Sequence, residues 1–426
     1  MGGVQGGDHP GGHTGNRAGA RVRPIRVVGL GVGAHACPQI EAAVRGADVL
    51  CAGERLLARF PGFAGERVVL KAPLDAALDV LEARRAQGGA VLVLADGDPL
   101  HFGIGALLAR RFGPQNLVFS PGVTTVQLAA ARLGLPWQEL PAVSLHGRHD
   151  PAPFWAALWA AGQVAVYTGP GHGPGELARM LLDMGLDGAR LHVLEDLGEA
   201  TERVRELTPA QALELDFSPL NLVIVHAPQE GLPRPVPGAP DQSYSREREL
   251  ITKWPVRAAA LAGLRLGPGQ TLWDVGAGSG AVGIEACALL GRGAVYAVER
   301  DASRCEMILG NARRHGAWQL RVVQGAAPAA LEPLPEPDRV FIGGGLGQGA
   351  DVLRACCQRL APGGRLALTT VLLASLTTAL EHLRALGWAF ELTQLQAAHG
   401  SPLAGDLRLT PINPVFLLTA DKPEKS

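Results

Sequence analysis

The segment 271–300, TLWDVGAGSGAVGIEACALLGRGAVYAVER, reads as a strand, a glycine loop, a helix and a second strand closed by an acid. The apolar run 271–275 predicts a buried strand, and Gly276, Gly278 and Gly280 let the backbone pass close under a ligand. Asp274 stands just before the first glycine. Glu299 ends the next apolar run, AVYAV, roughly 20 residues beyond the loop, where this arrangement places a carboxylate that accepts both ribose hydroxyls. An adenosine-bearing ligand is implied. An ordinary glycine-rich turn would explain the glycines but not the acid at the end of the following strand.

The loop spells D-x-G-x-G-x-G, whereas a dinucleotide loop needs G-x-G-x-x-G. Family patterns therefore shift the reading from NAD to S-adenosylmethionine. That donor has no phosphate, so the loop need not aim amides at a pyrophosphate. It must admit a zwitterionic methionine tail and a sulfonium.

Composition sets outer bounds. A chain of 426 residues predicts two or three domains. Lys+Arg 39 against Asp+Glu 40 gives no broad cationic footprint, which argues against nucleic acid as partner. No apolar run is long enough to span a bilayer and no secretory pattern opens the chain, so a cytoplasmic protein without a membrane partner is expected. The six cysteines, Cys37, Cys51, Cys287, Cys305, Cys356 and Cys357, show no C-x-x-C spacing and sit mostly in apolar segments. They read as reduced core thiols, with neither a disulfide framework nor a metal site.

Residues 1–23 are rich in Gly, His and Arg and read as a disordered tail, in which His9 and His13 are solvated rather than metal-binding. Residues 24–227 alternate apolar runs (IRVVGLGVG, ADVLCAG, AVLVLADGDP, NLVFSPG, VAVYTG, LHVLED, NLVIVHA) with amphipathic stretches, which predicts an α/β domain. Residues 228–244 carry five prolines and read as a linker. Residues 245–426 form a second α/β domain with further strands RVVQG, RVFIGGG, RLALTTV, AFELTQLQA and PVFLLTA. The last three would supply a closing antiparallel hairpin.

The first domain has motifs of its own. Gly29, Gly31 and Gly33 follow the opening strand, but the next strand ends in Ala52-Gly53-Glu54 without the matching acid. In LADGDPLHFGIG (94–105) a strand runs into Gly97-Asp98-Pro99 and a helix start; Asp98 either caps amides or holds a ligand's ammonium. Ser120-Pro121-Gly122-Val123-Thr124-Thr125 starts another helix after a strand. SLHGR (144–148) is a third such loop.

These residues resemble a known family. GLGVG, GDPLHFGIG, SPGVTTVQLAAARLGLPW and SLHGR are similar to the tetrapyrrole methylases, while ITKWPVR, WDVGAGSGAVGIE, YAVERD, FIGGG and the late NPV resemble the decarboxylating methyltransferase domain joined to them in the fused precorrin-6Y methyltransferase family. These motifs fall in order over about residues 25–420. The resemblance implies an N-terminal two-lobed tetrapyrrole methylase fold and a C-terminal Rossmann-like methyltransferase fold. It further implies two S-adenosylmethionine-dependent methylations, at C5 and C15 of a corrin precursor, with loss of carbon dioxide from the ring C acetate. It also implies a small-molecule tetrapyrrole as partner and a homo-oligomer, the latter by analogy only.

Roles transfer position by position. In the second domain the donor would touch Asp274, Gly276, Gly278, Gly280, Glu299 and Thr252 of ITK. Ala327 would offer its backbone to adenine. The family's G-D-A-P appears as Gly325-Ala326-Ala327-Pro328, so the acid is missing and a looser adenine pocket is expected. In the first domain the donor would lie in a cleft between two lobes against Gly97, Asp98, Thr124, Thr125 and Thr168. His101 and Phe102 would sit near its mouth, as packing or as substrate contacts. Arg148 and Arg257 are candidates for gripping substrate carboxylates, because guanidinium is a two-pronged donor, with a solvated surface arginine as the alternative. No catalytic acid or base and no metal ligand is assigned.

Overall fold

A computed structural model describes residues 23–31, 38–147, 150–344, 346 and 349–424. The expected tail to residue 22 with its histidines, and also Gly33, Cys37, Arg148 and Gly345, lie outside the described residues. By internal contacts the chain divides into two compact units. One runs to Trp137 and includes Asp196–Arg203; the other holds Gln138–Glu195 and everything from Val204.

The first unit is built on an all-parallel sheet of β1 (Ile25–Gly29), β2 (Val49–Ala52), β3 (Glu66–Val69), β4 (Val91–Ala95) and β5 (Leu117–Ser120), in the order β3-β2-β4-β1-β5. Its central strands are apolar on both sides because helices cover both faces. Strand order reverses at β1, so the loops after β4, β1 and β5 lie side by side at the carboxyl edge, the usual ligand crevice of such sheets.

The second unit holds two sheets. The first combines β6 (Ala142–Ser144), β7 (Gln163–Tyr167), β8 (Arg190–Glu195), β9 (Arg203–Leu207) and β10 (Asn221–His226) in the order β6-β7-β10-β8-β9, with β10 antiparallel to both neighbours. The second has seven strands. They are β11 (Thr271–Val275), β12 (Ala294–Glu299), β13 (Leu320–Gln324), β14 (Arg339–Ile342), β15 (Arg365–Thr370), β16 (Ala389–Leu395) and, after a separate hairpin β17 (Ala398–Leu403) and β18 (Asp406–Pro411), β19 (Val415–Asp421). The order is β13-β12-β11-β14-β15-β19-β16, parallel through β15, with β19 antiparallel to both β15 and β16.

The seven apolar runs of the first domain and the strands RVVQG and RVFIGGG fall where the sequence places them. RLALTT is a parallel strand, so the antiparallel closure comes from β16 and β19 alone, and the exposed β17–β18 hairpin is an element the sequence does not announce. Strands β3, β6 and β9 give no clear signal either. Each is a sheet edge with at most one buried residue, so it lacks the apolar run that marks a central strand.

The proline-rich stretch 228–244 forms no strand, but it is packed. Trp159 Nε1 donates to Pro233 O at 2.9 Å, Gly238 N–H donates to the Glu285 carboxylate at 2.8 Å, and Tyr244 is buried.

Candidate functional site

In the seven-stranded sheet, order reverses at β11, and the loop 276–280 leaves its carboxyl end there. Gly276, Gly278 and Gly280 all take positive φ, at 74°, 58° and 75°. A side chain is excluded at two of them: a Cβ on Gly276 would stand 2.8 Å from Gly343 O, and one on Gly280 2.8 Å from Ile308 Cγ2. Above Gly278 the space is open, and a Cβ there would have Gly276 O, at 4.0 Å, as its nearest neighbour. The loop thus presses against the protein at its ends and turns a bare backbone outward in the middle, which fits a ligand passing over it.

Glu299 closes β12 beside this loop. Its carboxylate accepts the Gly278 amide at 3.0 Å through one oxygen and the Asp301 amide at 3.1 Å through the other. Each carboxylate oxygen can accept more than one hydrogen bond, so capacity remains for ribose hydroxyls. Gly325 N–H donates to Glu299 O at 2.9 Å, which brings 325–327 to the same corner; Ala326 is exposed and Ala327 half-buried. The residues expected to hold ribose and adenine therefore meet.

Asp274 is buried beneath the loop. One oxygen accepts the Gly283 amide at 2.9 Å, and the other has no hydrogen-bond partner among the described residues. Burial raises its carboxyl to about 7; the Gly283 amide opposes the rise and the Glu299 charge adds to it. At 1 % exposure it supports the helix after the loop from below rather than meeting a ligand itself.

Arg257 corrects the sequence reading. It is fully buried, and its guanidinium donates to Glu285 at 2.8 Å, to Asp241 at 2.7 Å and to the carbonyls of Thr252 and Ala239. A substrate carboxylate has no access to it. Glu285, itself fully buried, also takes the Gly238 amide and the Tyr244 hydroxyl. An apolar helix pattern containing one Arg (254–264) and another containing one Glu (281–290) was the available signal for this pair.

In the first unit, backbone meets backbone where three strands end. A Cβ on Gly29 would lie 1.9 Å from Gly97 O and 2.6 Å from Gly122 N, and one on Gly97 3.2 Å from Thr124 Cα. Thr124 caps the helix Thr125–Leu133 in a reciprocal capping box with Gln127. Gly97, Asp98, Thr124 and Thr125 are thus gathered at one edge. Asp98 Oδ1 accepts the Leu100 amide at 2.8 Å, a local turn rather than a helix cap. The α-helix itself begins only at Gly105, so Pro99 precedes it and is not in its first turn. His101 and Phe102 are exposed and stack edge-on at 4.8 Å, Phe102 with a φ of 55°. Thr168 belongs to the other unit, at the end of β7, where its hydroxyl donates to Asn221 Oδ1 at 2.7 Å.

Among the described residues there is no cluster of three metal-ligating side chains, and no helix is long and apolar enough to cross a membrane. The five described cysteines are buried and unpaired, and burial pushes the Cys51 thiol up to about 12.

Residues 24–213 match the family described as Tetrapyrrole (Corrin/Porphyrin) Methylases, and residues 242–422 match the Precorrin methyltransferase domain. A precorrin-6Y C(5,15)-methyltransferase (decarboxylating) from a Sinorhizobium species is 36% identical over 347 residues, covering 80% of this chain and 82% of its own. Two shorter proteins also match. A probable cobalt-precorrin-6B C(15)-methyltransferase (decarboxylating) from Pyrobaculum calidifontis is 38% identical over 44% of this chain and 97% of its own. A cobalt-precorrin-7 C(5)-methyltransferase from Salmonella typhimurium is 38% identical over 47% of this chain and 98% of its own.

Proposed function

Since the chain belongs to the precorrin-6Y C(5,15)-methyltransferase (decarboxylating) family, we propose that its two domains divide one double methylation between them. The protein is a C-methyltransferase of cobalamin biosynthesis. In our reading residues 24–227 methylate C5, and residues 245–426 methylate C15 and remove carbon dioxide from the ring C acetate, giving precorrin-8X from precorrin-6B. The observation that carries this is the match over both domains at once, supported by the two shorter relatives, one named for C(5) and one for C(15).

The donor we assign to both sites is S-adenosylmethionine, which when bound supplies an electrophilic methyl group. The chain's own task is positioning. Bridge carbons of a reduced tetrapyrrole are enamine-like nucleophiles, so no thiolate or activated amide is required, and holding carbon and methyl in line supplies much of the acceleration. In the C-terminal domain the bare backbone at Gly278 would lie along the methionine end, Glu299 would fix the ribose, and Ala327 would face adenine. Gly343 and Gly344 follow β14 next to the loop, and a Cβ on Gly344 would meet nothing within 4 Å among the described residues, which fits a broad macrocycle there. In the N-terminal domain Gly97, Asp98, Thr124 and Thr125 would hold the donor and His101 would border the substrate.

For the decarboxylation, the electron pair left on the acetate carbon can pass into a protonated pyrrolenine of the substrate, so the protein need only exclude water and leave a proton source. Retention of carbon dioxide release in the presence of a chelator agrees with this; a strict metal requirement overturns it. Five buried free thiols accord with a reducing, cytoplasmic setting.

The test is mass spectrometry of a precorrin-6B-type substrate incubated with the protein and S-adenosylmethionine. Gain of two methyl groups with loss of carbon dioxide is expected. One methyl with loss of carbon dioxide would make the N-terminal domain a binding module, and an unchanged mass would refute the reading.

A further inference from the structure

The segment between the proline-rich stretch and the helix Trp254–Leu264 is fastened to the glycine loop itself. Asn311, fully buried in the helix Ala302–His315, makes the connection. Its Oδ1 accepts the Ser245 amide at 2.8 Å, and its Nδ2 donates to Ser245 O at 2.8 Å and to Ser279 O at 2.9 Å, inside the loop. One side chain therefore fixes both the loop and the segment, and because Arg314 Nη1 also donates to its Oδ1 at 3.3 Å all four of its hydrogen-bonding positions are in use. Two residues on, Glu247 is held by Arg304 of the same helix, Nε at 2.9 Å and a terminal nitrogen at 2.8 Å. Ile251 then packs on the apolar cluster that Ala277 of the loop also joins, and Arg257 donates to Thr252 O.

We propose that residues 245–252 form a strap that is part of the methyl-donor site of the C-terminal domain, and that Asn311 is its positioning residue, setting the loop and the strap at a fixed spacing across the donor. This rests on the reading that Gly276–Gly280 and Glu299 hold S-adenosylmethionine. The physical basis is that Ser279 O and the Ser245 backbone are polar groups whose alternative partner is water, so a buried amide that satisfies both couples their positions more tightly than either would be held alone. Arg304 joins the strap to the same helix whose start is anchored to Glu299 by the Asp301 amide. Loop, ribose acid and strap thus share one helix as their reference.

The test uses the full chain, with carbon dioxide release and C15 methylation followed against S-adenosylmethionine concentration and C5 methylation as the control on the same molecule. Asn311→Ala should raise the KM for the donor in the C15 reaction at least tenfold with kcat changed less than threefold, and leave the C5 reaction unaltered. Glu247→Gln, on a half-exposed side chain, should raise that KM about threefold without loss of folded protein. If Asn311→Ala does not fold, Glu247→Gln together with Arg304→Gln decides the matter, and an unchanged KM in both overturns the proposal. Equal loss of kcat at unchanged KM overturns it too. If instead the unmodified chain releases carbon dioxide and methylates C15 with no dependence on S-adenosylmethionine, it is the donor reading that fails.

Discussion

The Glu299 carboxylate accepts the Gly278 amide at 3.0 Å, so the acid that ends β12 also holds the loop that leaves β11. Removing it should affect both ribose binding and loop geometry. Glu299→Ala is expected to weaken donor binding in the C15 reaction roughly tenfold to a hundredfold, the range for one or two hydrogen bonds to a charged group. Steady-state rates of C15 methylation against S-adenosylmethionine check this, and C5 methylation should persist.

At Gly276 the backbone φ of 74° and the 2.8 Å approach to Gly343 O oppose any side chain. Gly276→Ala should cost about 1–3 kcal/mol through strain and displaced backbone. It should also abolish most C15 transfer, because β14 ends where the loop must sit. Thermal melting and product mass together test this; a variant with the original melting temperature and full C15 transfer would contradict it.

Asp274 predicts a pH effect of unusual sign. Its folded carboxyl titrates near 7 and its unfolded one at 3.8, so between these values the native state holds a proton that the unfolded chain has lost. Stability contributed by this group therefore falls as pH rises from about 4 to about 7 and is level above that, a change on the order of 4 kcal/mol. Asp274→Asn, which cannot ionise, should lack that slope. The difference in melting temperature between the two proteins should favour the unmodified chain more at about pH 5 than at about pH 8.

Arg257 and Glu285 are a fully buried pair 2.8 Å apart. Arg257→Met leaves Glu285 buried without its cation and should cost about 3–5 kcal/mol. Adding Glu285→Leu should recover part of that loss, because the stranded charge is then gone. Denaturant unfolding of both variants reads the difference; additive losses would show that the two side chains do not act as a pair.

Ala326, where the resemblance leads one to expect an acid on the adenine side, is exposed beside the Glu299 corner. Ala326→Asp should tighten donor binding in the C15 reaction several-fold, one additional acceptor for the adenine amine. Titration calorimetry of the two proteins with S-adenosylhomocysteine measures it, and equal affinities would remove the role.

The glycine loop and the acid beside it were legible because glycine spacing and an acid one strand later are local facts about the chain. Central strands such as Val91–Ala95 and Asn221–His226 were legible for the same reason, being apolar on both faces. The roles of Arg257 and Asn311 were not. Each is a polar residue whose partners lie tens of positions away, and only the fold reveals that Arg257 faces Glu285 and Asn311 faces Ser279. The β17–β18 hairpin escaped because its strands, with Gly400, Pro402 and Pro411 among them, lack the residues that mark a strand, and it buries none of them.

Gly29, Gly97 and Gly122 abut so closely that a methyl group on Gly29 would collide with both of the others' backbones, and one on Gly122 would stand 2.7 Å from Gly97 O and 2.8 Å from Gly29 O. The three codons consequently behave as a single character. In a library randomised at all three, survivors would carry glycine throughout, and pairwise replacements would fail as completely as single ones. The neighbouring Val123, exposed at 54 %, would meanwhile drift freely.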